Sequence, residues 1–338
     1  MDELSILKNK ANQIFLDNFA NEVSFERAVF FSWGCSINDC GFCYMSAQPK
    51  DKPLSETKRS FGSILAEFIL CKQFGWDIGF FSGGIGVLKP DELEEMLKVI
   101  TQVTGEKIWL NIGPLPRNLL SRFTPYVKGI VGSTETVNPI LHKKVCPSKP
   151  LEPYFKMFEY AKELGLERAM TFIVGMGETK DDFKLLKEII VKYGVTKIHV
   201  YSLIPHPGTM MENFAIPSKD EQSWWISKLR IEFPKLDIQC GIWHDRVEYI
   251  SDLLQTGVNS ISKFKCIELF GTEKARIVER QIASSGRKFN GSLTKIPNVD
   301  WDSEISRLDI DGKLKSEIKI KLDVYLKKMK DNCKKIKI

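Results

Sequence analysis

Eight short, apolar, β-rich runs punctuate the chain, at residues 28–33, 78–82, 107–111, 128–132, 170–174, 198–203, 237–240 and 260–264. Segments of helical periodicity stand between most of them, at 64–74, 90–101, 153–164, 180–193, 219–233 and 247–255. Pro90 opens the second of these, and Gly165 and Gly194 close the third and fourth, the places where each residue is best tolerated. Alternation of this kind calls for a parallel sheet, because parallel strands need a crossover between them. Eight strands over a span of about 240 residues fit a closed (βα)8 TIM-type barrel, with an open doubly wound sheet as the alternative. Residues 1–24 read as an N-terminal helical flank, 25–290 as the barrel, and 291–338 as an extension with a Lys-rich helix.

The chain has 338 residues, with 49 basic and 43 acidic side chains and a formal charge of +6. The surplus is local. From Lys313 to the end there are ten lysines against three carboxylates, so the rest of the molecule is near neutral. A uniformly basic nucleic-acid binder is therefore not expected. Leu314, Ile318, Leu322, Tyr325, Leu326 and Met329 recur there at helical spacing, with lysines on the other face. The bland expectation is a helix packed on the barrel; the sharper one is a dock for an acidic partner. No run approaches the roughly 20 apolar residues of a membrane span. The acidic start Met1-Asp2-Glu3-Leu4 does not resemble a secretory signal, so a reducing cytoplasm is expected.

Eight cysteines are unevenly placed. Cys35, Cys40 and Cys43 sit together just after the first strand, in Gly34-Cys35-Ser36-Ile37-Asn38-Asp39-Cys40-Gly41-Phe42-Cys43. In a parallel barrel that is the C-terminal mouth, where active sites form. Three thiolates this close can grip three irons of a cubane cluster and leave the fourth open. Zinc is the competing occupant, but structural zinc wants four ligands and the chain has no second CxxC pair.

The triplet resembles that of the radical S-adenosylmethionine (SAM) enzymes, which usually space it C-x3-C-x2-C with an aromatic before the last cysteine. Phe42 holds that place here, while the first spacing is four. Three later strand ends extend the likeness. Ser82-Gly83-Gly84 is similar to the family's Gly-Gly-Glu segment, with Ile85 in place of the glutamate. Glu135 and Asn138 match a Glu-Thr-x-Asn segment of the biotin synthase and hydrogenase-maturase branch. Ile173, Gly175 and Glu178 match a G-x-I-x-G-x-x-E segment whose first glycine is replaced by Thr171.

The resemblance implies a [4Fe–4S] cluster on Cys35, Cys40 and Cys43, SAM on its open iron, and a low-potential electron donor. It also implies that Phe42, Ser82, Gly83, Gly84, Glu135, Asn138, Ile173, Gly175 and Glu178 contribute to the cofactor site. Arg168 is a candidate cation for the SAM carboxylate, or else a surface ion pair. Cys146, Cys240 and Cys266 fall near strand ends and are expected either to converge on a second iron–sulfur cluster or to be inert buried thiols. His206, His244 and Arg246 are candidate substrate contacts.

Within the family, sulfur insertion of the lipoyl or biotin type is the leading expectation. A maturase of the hydrogenase iron-guanylylpyridinol cofactor is the alternative, and a non-catalytic iron–sulfur scaffold is the rival from another class. The expected partners are an acidic carrier protein or a second radical SAM subunit.

Overall fold

The structure, a computed structural model, describes residues 2–49 and 52–335. The outer ends of both expected flanks, residue 1 and residues 336–338, lie outside the described residues.

Helix α1 (Glu3–Asn18) leads into strand β1 (Glu22–Phe30). Then follow α2 (Phe61–Phe74), β2 (Asp77–Ser82), α3 (Pro90–Thr104), β3 (Ile108–Asn111), α4 (Arg117–Phe123) and β4 (Val127–Glu135). The second half runs α5 (Pro139–Val145), α6 (Glu152–Glu163), β5 (Glu167–Val174), α7 (Asp182–Tyr193), β6 (Lys197–Ser202), α8 (Lys219–Glu232) and β7 (Asp237–Gly241). It ends with α9 (Ile250–Leu254), β8 (Ser260–Ser262), α10 (Glu273–Ser284), β9 (Lys288–Asn290), α11 (Trp301–Ser306) and α12 (Gly312–Lys334).

Strands β1 to β8 pair in parallel in chain order, and β8 pairs in turn with β1, so the sheet closes into a (βα)8 barrel rather than fanning open. β9 adds to β1 in parallel on the outside. Strand β1 begins at Glu22, within the stretch read from sequence as flank, because Val23 and Phe25 are buried in the core. The segment expected as one helix at 247–255 is a single 3-10 turn followed by the short α9.

The helices stop and start where side chains satisfy their free amides. Ser60 caps α2, accepting from the Ser63 amide, and Gly75 ends it in the left-handed region. Ser218 and Glu221 form a reciprocal capping box on α8.

The two flanking helices are tied to the barrel differently. α1 lies against α8, where the guanidinium of Arg230 sits 4.7 Å from the Phe19 ring and that of Arg287 3.7 Å from the Phe15 ring. α12 lies on α2, burying Ile318, Leu322, Leu326 and Met329, with the Tyr325 hydroxyl 3.1 Å from Ser63 Oγ. Among the described residues no helix is long and apolar enough to cross a membrane.

Candidate functional site

The barrel opens at the C-terminal ends of its strands into a cavity of about 750 Å3. Residues following β1 form one wall. The backbone from Phe31 to Cys43 folds over the mouth and is tied down on three sides. The Ser36 amide donates to Ile85 O at 2.9 Å, the Gly41 amide to Val145 O at 2.8 Å, and the Met211 amide to Gly41 O at 3.0 Å. The glycine pair after β2 makes room for this loop. A Cβ on Gly84 would stand 1.7 Å from Gly34 O, and one on Gly83 would strike the Phe31 ring at 2.2 Å. Ser82, Gly83 and Gly84 line the cavity, but their first structural task is to let the cysteine loop approach β2.

Cys35, Cys40 and Cys43 all line this cavity, with Phe42 between the last two. Among the described residues no three His, Cys, Asp or Glu side chains stand close enough to ligate one ion. A cubane does not ask for that, because each thiolate takes a separate iron. The donor set, three thiols of one loop facing one cavity, therefore suits a cubane better than a single zinc. Burial pushes the Cys43 thiol up to about 11. A hydrogen bond with Cys146, then burial, raises Cys40 further. Metal binding must displace these protons.

Across the cavity, Glu135 ends β4 with φ +62. Its Oε1 accepts from Lys149 Nζ at 3.1 Å and its Oε2 from Thr171 Oγ1 at 2.9 Å. Burial opposes the Lys149 ammonium, but Glu135 together with Tyr154, Cys146 and Cys40 outweighs it and holds the lysine protonated well above its ordinary value. The same ammonium stands 5.8 Å from the Phe42 ring and 5.9 Å from the Tyr154 ring. Tyr154 lines the cavity, its hydroxyl buried and, among the described residues, without a hydrogen-bond partner. One ion pair thus links the cysteine loop, β4 and β5.

The far wall is aromatic. His206 lies edge-on to Tyr44 at 5.6 Å and to Trp243 at 6.5 Å. Lys263, just past β8, has φ +70, and its ammonium stands 4.2 Å from the Tyr201 ring and 5.5 Å from that of Trp243. Among the described residues three non-glycine residues have positive φ: Asn38 in the cysteine loop, Glu135 and Lys263. All three belong to the mouth. Each costs about 1–2 kcal/mol, and such strain collects at functional sites.

Several residues expected at the site are placed elsewhere. Arg168 sits at the opposite end of the barrel, at the start of β5, where it donates to Leu166 O and Gly194 O. It is not part of the cavity wall, and among the described residues it is in no ion pair within 4 Å. Asn138 caps α5, accepting from the Ile140 and Leu141 amides and donating to Asp182. Glu178 folds back on its own loop, accepting from the amides of Gly175, Met176 and Gly177 at 2.6, 2.9 and 3.2 Å. Gly175, with φ +99, lets that loop turn beside Pro217. Neither Gly175 nor Glu178 is part of the cavity wall; Ile173 is.

Cys146, Cys240 and Cys266 do not converge. Cys146 is buried behind Cys40. Cys240 faces α8, 3.3 Å from Gln222 Nε2, because its neighbour Gln239 takes the inward position on β7. Cys266 is buried beside Cys71 and Arg27. His206 lines the cavity, whereas His244 and Arg246 do not. Arg246 is buried and donates to Ser202 Oγ at 2.9 Å. Lys149, Tyr154, Tyr201 and Lys263 were not foreseen. Lys149, in Cys146-Pro147-Ser148-Lys149-Pro150, offered only a lysine in a proline-bounded loop as a signal.

Residues 29–190 match the family model of the radical SAM superfamily. A protein of Methanocaldococcus jannaschii described as uncharacterised is 34% identical, over 96% of this chain and 95% of its own length. The [FeFe] hydrogenase maturase subunit HydE of Thermotoga maritima is 27% identical, over 60% of this chain and 58% of its own. The biotin synthase of Parabacteroides distasonis is 26% identical, over 62% and 64%. Among solved structures, methylornithine synthase superposes with a TM-score of 0.72 at 18% identity, over 85% of this chain and 90% of its own. That likeness concerns the fold. With a cysteine triplet at the mouth of a parallel barrel, the family match over residues 29–190 and a relative matching from end to end, the chain belongs to the radical SAM superfamily.

Proposed function

We propose that this chain uses Cys35, Cys40 and Cys43 to hold a [4Fe–4S] cluster and acts on a small molecule enclosed in the barrel. When bound, that cluster and SAM supply one-electron cleavage of SAM to methionine and a 5′-deoxyadenosyl radical, which takes a hydrogen atom from substrate. The electron comes from a low-potential donor. The observation that carries the reading is that all three thiols face the one cavity that Glu135 and Lys149 also line.

The rest of the site has a part in this. The Glu135 carboxylate, fixed by Lys149 and Thr171, is an acceptor for the SAM ammonium or ribose hydroxyls. Ser82 and the backbone around Gly83 and Gly84 offer further polar groups beside the cysteine loop. Phe30, Phe80, Tyr201 and Trp243 exclude water from the chamber, which a reactive primary radical requires.

Sulfur insertion of the lipoyl or biotin type is the finer reading, supported by the biotin synthases among the relatives. The separation of Cys146, Cys240 and Cys266 leaves no second cluster on those thiols, so the sulfur in this reading comes from a partner, such as a second radical SAM subunit. A role in maturing a hydrogenase cofactor is favoured instead by the HydE relative. The lysines of α12 are the surface on which an acidic donor or carrier would dock.

The test is anaerobic reconstitution followed by dithionite and SAM. About four irons per chain and accumulation of 5′-deoxyadenosine are expected. Iron without 5′-deoxyadenosine would leave the scaffold reading in its place. Octanoylated carrier peptide as substrate, with and without a partner subunit, then tests sulfur insertion.

A further inference from the structure

The cavity wall carries five lysine and arginine side chains: Arg27, Arg59, Lys149, Lys263 and Lys265. Arg27 and Arg59 share the carboxylate of Glu67. Lys149 pairs with Glu135. Lys265 is exposed. Lys263 differs from all of them. It is half-buried, and among the described residues its ammonium makes no hydrogen bond or ion pair, only the contacts with the faces of Tyr201 and Trp243.

A half-buried ammonium without an anion beside it costs more to keep than a solvated one. Here it is reached by a second unfavourable choice, the left-handed backbone at Lys263 itself. Burial pushes this lysine down to about 8, against an ordinary 10.5, with Glu135 and Cys43 only partly offsetting it. A group held out at such cost, inside a cavity and against aromatic faces, matches a ligand that brings one negative charge and an apolar body.

We propose that Lys263 holds the carboxylate of a small organic acid whose apolar part lies between Tyr201 and Trp243. The inference rests on the cavity being the substrate chamber. It also narrows that reading. An acyl chain joined by an amide to a carrier protein brings no anion to this ammonium, whereas a free acid does. The same charge is present on SAM, so the cofactor is the other possible source of the carboxylate.

The unmodified, cluster-loaded protein serves for the test. At pH 8 N-hydroxysuccinimidyl acetate acetylates an amine in proportion to its unprotonated fraction, at a rate read by peptide mass spectrometry. Straight-chain and aryl monocarboxylates are compared, each with its own primary amide. The expected result is that at least one carboxylate slows acetylation of Lys263 about ten-fold or more relative to its amide.

Carboxylates that shield Lys263 no better than their amides would overturn the proposal. So would shielding by SAM that decarboxylated SAM fails to give, since the ammonium would then serve the cofactor. Formation of 5′-deoxyadenosine is measured on the same preparation. Shielding without 5′-deoxyadenosine keeps the acid site and sinks the radical chemistry; 5′-deoxyadenosine without shielding does the reverse.

Discussion

A lysine at the foot of the barrel and another at its mouth are treated in opposite ways. At the foot, Lys197 donates to Glu26 Oε1 at 2.6 Å and to Asp237 Oδ2 at 2.8 Å, and Ser260 Oγ donates to the same Glu26 oxygen at 2.5 Å. Burial opposes the Lys197 ammonium, but Glu26 and Asp237 outweigh it and raise its pKa. At the mouth, Lys263 has no such partner among the described residues, three of which, all at this end, carry a strained backbone. The foot is arranged to keep the barrel closed. The mouth is arranged to receive something charged, and the chain tolerates instability there.

This contrast is sharpest when the lysines are neutralised one at a time. Lys197→Met leaves Glu26 buried beside an apolar side chain and should destabilise the fold by about 3–5 kcal/mol in urea denaturation. A loss below about 1 kcal/mol would mean that the foot does not hold the barrel together. Lys149→Met strands the buried Glu135 beside the cavity and should cost about 2–4 kcal/mol. Lys263→Met should do the opposite, raising stability at pH 7 by about 1–2 kcal/mol, since it removes an ammonium that Glu135 and two ring faces only partly compensate. Destabilisation there would contradict the comparison.

The pH dependence separates Lys263 from the other two. Its folded pKa, about 8, lies below the ordinary 10.5, so the unfolded chain binds more protons between those values. Wild-type protein should therefore gain stability relative to Lys263→Met as pH rises from about 8 to 10.5. Glu135, Cys43 and Arg27 are the charged groups that act on Lys263. Lys197 has the opposite sign: its pKa is raised, so its contribution is complete below 10.5 and fades only above that. The smallest effect belongs to Arg168→Met, which removes two hydrogen bonds to carbonyls at the foot and should cost about 1 kcal/mol without touching SAM binding.

The barrel was legible in the sequence because its strands are apolar on both faces and its main helices carry clear stop signals. Short elements were not: α4, α5 and β9 are too brief for periodicity to stand out. Strand β4 was expected to end at 132, yet it continues through the polar Ser133 and Thr134 to Glu135. Those side chains are hydrogen-bonded within the barrel, Ser133 to Asn111 and Thr134 to Thr171 O.

The cysteine triplet was legible because its three thiols share one loop. The scattered thiols were not, because on a strand a shift of one residue turns a side chain from the cavity to the helices. Gln239 and Cys240 are such a pair. Asn138 and Glu178 match family positions by spacing, but their polar atoms are taken by backbone amides. Lys149 and Glu135 meet across a helix and a proline-bounded turn, a distance that no local pattern reports.

The central claim is that Cys35, Cys40 and Cys43 together make the mouth of this barrel a SAM-cleaving site. It is tested most directly by anaerobic assay of 5′-deoxyadenosine with dithionite and SAM, for wild type and for Cys35→Ala, Cys40→Ala and Cys43→Ala. The expected result is product from wild type only, with cluster absorbance lost in each variant while Cys240→Ala and Cys266→Ala keep theirs. Undiminished product from any one of the three triplet variants, or none from a cluster-loaded wild type, would contradict it.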